Sequence, residues 1–422
     1  MEGMIRSRPS EGIHDRLFAR ALVLGEDRDP RGCFALVTVD VCVLDGQTTR
    51  AVRERAESRT GIPAGHIVVA ATHTHSGPST VGIFTPRETA YVEELSARLA
   101  AVIGKAARRV RLARPIVGAG VERTISHYRR LLADDGHVVM NWEPWPAERI
   151  VRTLGTADPE VGVMMLVSPG IPGKIVALLF NHAGHPNILS GENLLLSSEY
   201  PGLAARLLEQ ERGGTALFFN GAQGSVDIDG LRHRDWEGWD RAGRALADSV
   251  RSASFSAPGP GRVRGDSARY AIPGRTLTAA EWRWAEEVLS RTGGAVKPIA
   301  DGVGDDYKAL FYRRLREKGP RDIPVEQVCI AVDDCALLSF PGELYTEIGQ
   351  AIKARSPFAR TFIVGLANGY EGYFPTEAAV AEGGYAEDTR WGDAAAERMV
   401  VEQSLTLLGR VHAAITKVTK EE

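Results

Sequence analysis

KIVALLFNHAGHPNIL, residues 174–189, begins as a strand and ends as a turn carrying two histidines. The apolar run from Ile175 to Phe180 shows no alternation of polar and apolar residues, the pattern of a strand covered on both faces. Gly184 and Pro186 then break the run. His182 and His185 fall just beyond it, where a rigid sheet fixes the direction in which a loop points. The same form recurs in VVAATHTHSGP (68–78), ALFFNGAQGSVDIDG (216–230), ALLSFPGELYTEIG (336–349) and IVGLANGYEGYFPT (363–376). Five apolar runs each end in a Gly- or Pro-containing turn loaded with His, Asp, Glu or Tyr.

Further out, strand-like runs occupy 34–44, 67–72, 161–168, 174–181, 215–220, 327–340 and 361–366. Helical patterns fall at 46–61, 85–109, 200–212, 235–253, 278–291, 343–354 and 392–416. The second opens with Thr85-Pro86, a cap and first-position pair. This alternation predicts an α/β protein with layered mixed β-sheets flanked by helices. The Pro/Gly-rich SAPGPGRVRG (256–265) reads as a surface loop. The expected organisation is a single catalytic domain over 1–422 with a loop or helical insertion at about 256–325.

The chain has 422 residues and a formal net charge of −3 of mixed sign, which gives no electrostatic footprint for nucleic acid or anionic lipid. Its four cysteines, Cys33, Cys42, Cys329 and Cys335, lie in apolar runs without CxxC spacing and read as buried thiols of a reducing compartment. The first residues lack the apolar core of a signal peptide, and no stretch reaches the roughly 18 apolar residues of a membrane span. A cytoplasmic protein that acts on a small-molecule substrate is expected, without nucleic-acid or membrane partners and with homo-oligomerisation open.

His73 and His75 are one residue apart at the end of 67–72 and would share a face if the strand continued through them. Taken alone, the pair is as consistent with a hydrogen-bonded core histidine as with a metal. Joined to His182 and His185 it points to a shared metal site, which needs oxygen ligands and an open position. Glu343 could supply one or could cap the helix expected at 343–354. Tyr370 and Tyr373 could ligate or pack over their turn. The turn at 216–230 brings Asn220, Gln223, Ser225, Asp227 and Asp229 near one strand end, either as an oxyanion pocket or as an Asx-rich loop.

These motifs together resemble the catalytic domain of the neutral/alkaline non-lysosomal ceramidase family. The resemblance rests on GIHDRLFARALVL (12–24), VTVDVCVL (37–44), ATHTHSGP (71–78), NHAGHPNIL and LLSSEYPG (181–189, 195–202), FFNGAQGSVD (218–227), PGELYTEIG (341–349) and GLANGYEGYFPT (365–376). It implies a zinc site held by His73, His185, Glu343 and Tyr373, with His75 binding substrate or moving a proton and Arg129 in the pocket. Asp40 would orient a ligating histidine from behind. Asp227 stands where the family has a catalytic serine, and Ser225 is offset from that place. The family's leading strand motif and C-terminal immunoglobulin-like domain have no counterpart in this sequence.

The implied chemistry is zinc-dependent hydrolysis of an amide, or of an ester or lactone, in a small soluble N-acyl-type substrate through a zinc-activated water. Asp227 and His75 would exchange protons, and Arg129 with the amides of 221–224 would hold an oxyanion. A metal-dependent lyase or isomerase with Asp227 as base, and ceramide N-deacylation itself, are the alternatives.

Overall fold

A computed structural model describes residues 1–6, 8–171, 173–228, 233–299 and 302–421. Asp229, named above, lies outside the described residues.

The first sheet holds β1 (Ala19–Leu24), β2 (Phe34–Val39) and β3 (Ile67–Ala71), with β1 antiparallel and β3 parallel to β2. The parallel step is made by α1 (Gly46–Thr60), which starts where the Asp45 carboxylate accepts from the Thr48 amide at 2.6 Å and stops at Gly61 with φ 75°. A second helix, α2 (Thr89–Ala107), covers the same face. It begins after Glu88 rather than at Thr85-Pro86. The Thr85 hydroxyl instead donates to the Met1 carbonyl at 3.3 Å, and Arg87 pairs with Asp45 at 2.9 Å, so this segment ties the chain's first residues to α1.

The second sheet runs in the order β7-β6-β5-β4-β8, from β4 (Arg114–Val121), β5 (Glu160–Val167), β6 (Ile175–His182), β7 (Thr215–Asn220) and β8 (Ser254–Phe255). β6 and β7 are parallel through α3 (Glu199–Arg212), which packs with α4 (Trp236–Arg251) on the outer face. The third sheet has β9 (Val263–Ile272), β10 (Ile323–Val332), β11 (Cys335–Ser339) and β12 (Arg360–Val364) in that order. Helices α5 (Ala279–Thr292) and α6 (Asp305–Lys318) lie between β9 and β10, α7 (Thr346–Arg355) makes the parallel crossover from β11 to β12, and α8 (Ala396–Glu421) covers the outer face.

Two expectations change here. The run 327–340 is a hairpin, β10 to β11, turning at Asp333 in the left-handed region, φ 51°. Apolar residues on both sides of the two aspartates conceal the turn. Within 256–325 the residues from Val263 to Ile272 belong to the sheet instead, β9 pairing with β10 from Val263 opposite Val332 to Ile272 opposite Ile323, and the described residues between the two strands form α5, α6 and a short antiparallel pair of Pro298–Ile299 with Gly302–Val303.

The inner faces of the three sheets meet in one core that includes Leu36, Val68, Leu179, Phe219, Ile330, Leu337 and Phe362. Burial of each such side chain contributes roughly 1.5–3 kcal/mol. A Cβ on Gly162 in β5 would lie 2.3 Å from the Phe362 ring, so the bare backbone there lets the third sheet close onto the second. Specific polar ties also cross the sheets. The Thr38 hydroxyl donates to the Phe218 carbonyl at 2.7 Å, and the Asn181 amide nitrogen donates to the carbonyls of Phe219 and Ile363 at 2.9 and 2.8 Å. At about 1 kcal/mol net for each bond, these fix the relative placement of sheets that the apolar core holds together.

Candidate metal centre and active site

Loops from all three sheets converge at one end. His73 and His75 follow β3, His185 follows β6, Asp227 follows β7, Glu343 follows β11 and Tyr373 follows β12. Arg129 joins them because Tyr128 and His127 pair with Val226 and Asp227, and its own amide donates to the Ser225 carbonyl at 3.0 Å.

The two histidines of THTHSGP do not reach the site by strand pleating. β3 ends at Ala71, and His73 takes φ 76°, a left-handed conformation that a residue with a Cβ adopts at a cost of order 1–3 kcal/mol. The surroundings enforce it. The His73 amide donates to the Val41 carbonyl at 3.0 Å, and the His75 amide donates to the Pro186 carbonyl at 2.9 Å, locking the two histidine turns together. Asn220 clamps the same pair: its side-chain nitrogen donates to the carbonyls of Gly184 and Thr72 at 2.8 and 3.4 Å.

The His73 Nδ1 lies 2.8 Å from the Cys42 carbonyl, which can only accept, so Nδ1 carries a proton; burial opposes a second proton on Nε2, but Cys42 and the Glu343 carboxylate raise His73 well above the ordinary histidine range, so a cation bound at Nε2 would take that proton's place. That Nε2 is 3.2 Å from His185 Nε2 and 3.5 Å from Glu343 Oε2, and His185 Nε2 is 3.6 Å from the same oxygen. Donors bound about 2.0–2.1 Å from a tetrahedral zinc are separated by about 3.3 Å, so this triangle has the size of one face of such a site. Glu343 Oε2 is buried without a hydrogen-bond partner among the described residues, as an atom kept for a cation would be. Burial alone would push the Glu343 carboxyl up, but His73, then His185 and Arg129, hold it down at about 2. Burial and the charge on His73 keep His185 and His75 well below the ordinary histidine range, as neutral imidazoles. The donor set therefore fits a divalent metal such as zinc.

His75 Nε2 lies 3.3 Å from His73 Nε2, but His75 is not part of the His73–His185–Glu343 group. Its ring packs beneath Gly3, where a Cβ would come within 2.5 Å of the imidazole. The Glu2 carboxylate anchors that segment by accepting from the amides of Thr80, Val81 and Ile83. A second group, Cys42 with His73 and His75, is also close enough to hold an ion. Burial raises the Cys42 thiol, which disfavours the thiolate a metal would need.

Opposite the triangle, Arg129 is buried among the rings of Tyr373, Trp142 and Tyr385, at 4.8, 5.3 and 5.7 Å from their centres. Its Nε and Nη2 have no hydrogen-bond partner among the described residues. Burial opposes its charge, yet Tyr373, Tyr345 and Asp227 keep it protonated. The Tyr370 hydroxyl donates to Glu343 Oε1 at 3.0 Å, and Tyr373 interacts with both Arg129 and Glu343. Asp227 accepts from the Ile228 amide at 2.7 Å and lies 3.5 Å from Arg234. These groups line a cavity of about 490 Å³ together with His73, His75, His185 and Glu343.

Several sequence-derived roles are corrected. His182 is not with the other histidines: its Nε2 meets Ser126 Oγ and its Nδ1 meets the Glu160 carbonyl, both at 3.2 Å. Glu343 caps no helix, because it pairs with Tyr373 in a two-residue bridge and α7 starts three residues later. The amides of Gly221 and Gly224 are consumed by the carbonyls of His182 and Leu344, so those two hold no oxyanion. Ser225 bonds Thr346 and Glu347 instead of lining the cavity. Asp40 accepts from the Phe18 amide at 2.8 Å and faces Arg20, while the Cys42 carbonyl orients His73. Trp142, Tyr385 and the Glu2-Gly3 segment carried no local signal, since they reach the site only through tertiary packing.

Among the described residues no helix is long and apolar enough to cross a membrane. Residues 5–95, which include His73 and His75, match the family model for neutral/alkaline non-lysosomal ceramidase, N-terminal. The fold matches the neutral ceramidase from Pseudomonas aeruginosa with a TM-score of 0.69 at 18% identity, over 95% of this chain and 70% of that one. It also matches a ceramidase complexed with C2, with a TM-score of 0.71 at 18% identity, over 96% and 72% of the two chains. The layered α/β fold is thus that of neutral ceramidase, and residues 5–95 carry the sequence match to the family's N-terminal model.

Proposed function

We propose that this protein is a zinc-dependent hydrolase that cleaves an amide bond of a small N-acyl substrate, the whole chain acting as one catalytic unit in a reducing compartment. The observation that carries the reading is the triangle of His73 Nε2, His185 Nε2 and Glu343 Oε2, sized for a metal and set in the wall of a cavity that also presents Asp227 and Arg129. His73, His185 and Glu343 would hold the zinc with Tyr373 beside them. Bound there, zinc supplies Lewis acidity toward a carbonyl and acidifies water.

The chain's own groups do the rest. Arg129, whose Nε and Nη2 have no hydrogen-bond partner among the described residues, binds the oxygen that gains charge as water adds to the carbonyl carbon. Asp227 takes a proton from the attacking water and returns one to the nitrogen as the C–N bond breaks, giving a carboxylate and an amine. His75, a neutral imidazole held by Gly3 and the Pro186 carbonyl, orients the substrate. A cavity of about 490 Å³ suits a small molecule.

Turnover of N-acyl amides in 18O-water tests the reading. Hydrolysis places label in the carboxylate product. A conversion that leaves the label in water indicates the lyase or isomerase chemistry and removes the hydrolase.

A further inference from the structure

The solvent end of the same cavity is cationic. Arg314 and Lys318 stand four residues apart on one face of α6, and Arg321 follows the helix; all three line the cavity. Their neighbours in the same basic run are otherwise engaged, Arg313 with Glu317 at 3.9 Å and Arg316 over the Trp282 ring at 4.3 Å. Among the described residues, no carboxylate oxygen lies within 4.0 Å of the cations of Arg314, Lys318 or Arg321. Lys318 Nζ and the Arg321 guanidinium instead sit 4.7 and 5.8 Å from the Trp391 ring centre, which also lines the cavity. Glu371, an acidic side chain of the lining that feels the charges of Arg321 and Lys318, is half-buried and raised above the usual carboxylate range by that burial. Like-charge crowding shows in Lys318, which burial and then Arg321 and Arg314 push down. Three clustered cations facing one carboxylate leave the rim with an excess of positive charge.

We propose that Arg314, Lys318 and Arg321, over the face of Trp391, form a subsite for an anionic group, a carboxylate or a phosphate, at the end of the substrate remote from the scissile amide. This rests on the hydrolase reading for which end of the substrate is meant. The chemistry suits the residue types: guanidinium groups bind carboxylate and phosphate in bidentate fashion, the lysine adds a point charge, and the indole supports the chain that leads inward. The zinc triangle and Arg129 then read the amide, while the rim selects an N-acyl compound with an acidic tail over a neutral lipid.

Calorimetric binding tests this without turnover, using the full chain carrying His73→Ala, or Glu343→Gln if the former does not fold. The probes are N-acetylglycine, N-acetyl-β-alanine and N-acetyl-6-aminohexanoate, their terminal carboxamides, and N-acetyl-O-phosphoethanolamine. At least one anionic probe is expected to bind about tenfold more tightly than its neutral counterpart, with the preference falling as salt is raised. Lys318→Ala/Arg321→Ala should reduce that preference to about twofold or less, and Lys318→Glu/Arg321→Glu should reverse it. Equal binding of charged and neutral probes overturns the subsite. So does a preference that survives both rim variants, or a rim effect confined to vesicles containing phosphatidylserine. Charge-selective binding without amide hydrolysis by the wild type would keep the subsite and remove the hydrolase; hydrolysis without charge selection would do the opposite.

Discussion

Replacing Glu343 with glutamine, or His73 or His185 with alanine, is expected to abolish stable metal binding and lower kcat/KM by at least about 10³-fold. The bound metal lowers the pKa of water from about 15.7 toward 7, a change of roughly nine decades, so even partial loss of that effect exceeds a thousandfold. The three side chains act as one unit around a common point, with Nε2 and Oε2 atoms 3.2 to 3.6 Å apart. The double variant His73→Ala/Glu343→Gln should therefore be little worse than either single one. Tyr373→Phe should cost less, about 10–100-fold in metal affinity, because the triangle survives without the phenol oxygen. Additive losses in the double variant would show that the three groups do not share an ion.

Asp227→Asn separates catalysis from metal binding. Asparagine keeps an Oδ1 acceptor for the Ile228 amide, now at 2.7 Å, and so preserves the local turn, but it cannot take a proton. The expected result is a fall in kcat of about 10²–10⁴-fold with unchanged metal content and melting temperature. Activity close to wild type would place the base elsewhere, with His75, which also lines the cavity, as the remaining candidate.

The sheets were legible because parallel and doubly covered strands announce themselves as unbroken apolar runs. β6 and β7 fall within a residue of where those runs placed them. β4, RPIVGAGV, and β9, VRGDSARYAI, escaped notice because glycine and charged residues interrupt their apolar pattern, and both carry partly exposed positions. At the site, the strand-end turns offered His73, His75, His182, His185, Glu343, Tyr370 and Tyr373 as candidates, and the family resemblance alone singled out His73, His185, Glu343 and Tyr373 among them. What the pattern could not show is how the turns aim their side chains. The inward direction of His73 depends on a left-handed backbone held by Val41, and the selection of His185 over His182 depends on Ser126 and the Glu160 carbonyl claiming the latter. Arg314, Lys318 and Arg321 carried no reading from the sequence and reach the cavity because the fold turns the end of α6 and the residues just beyond it onto it.

The most direct test is anomalous diffraction at the zinc absorption edge from crystals of the wild-type protein, collected above and below the edge. The account predicts about one zinc per chain, bonded to His73 Nε2, His185 Nε2 and Glu343 Oε2 at about 2.0–2.2 Å, with His75 uncoordinated. A zinc-replete protein with no peak there, or with its ion bound by Cys42, His73 and His75, would contradict it.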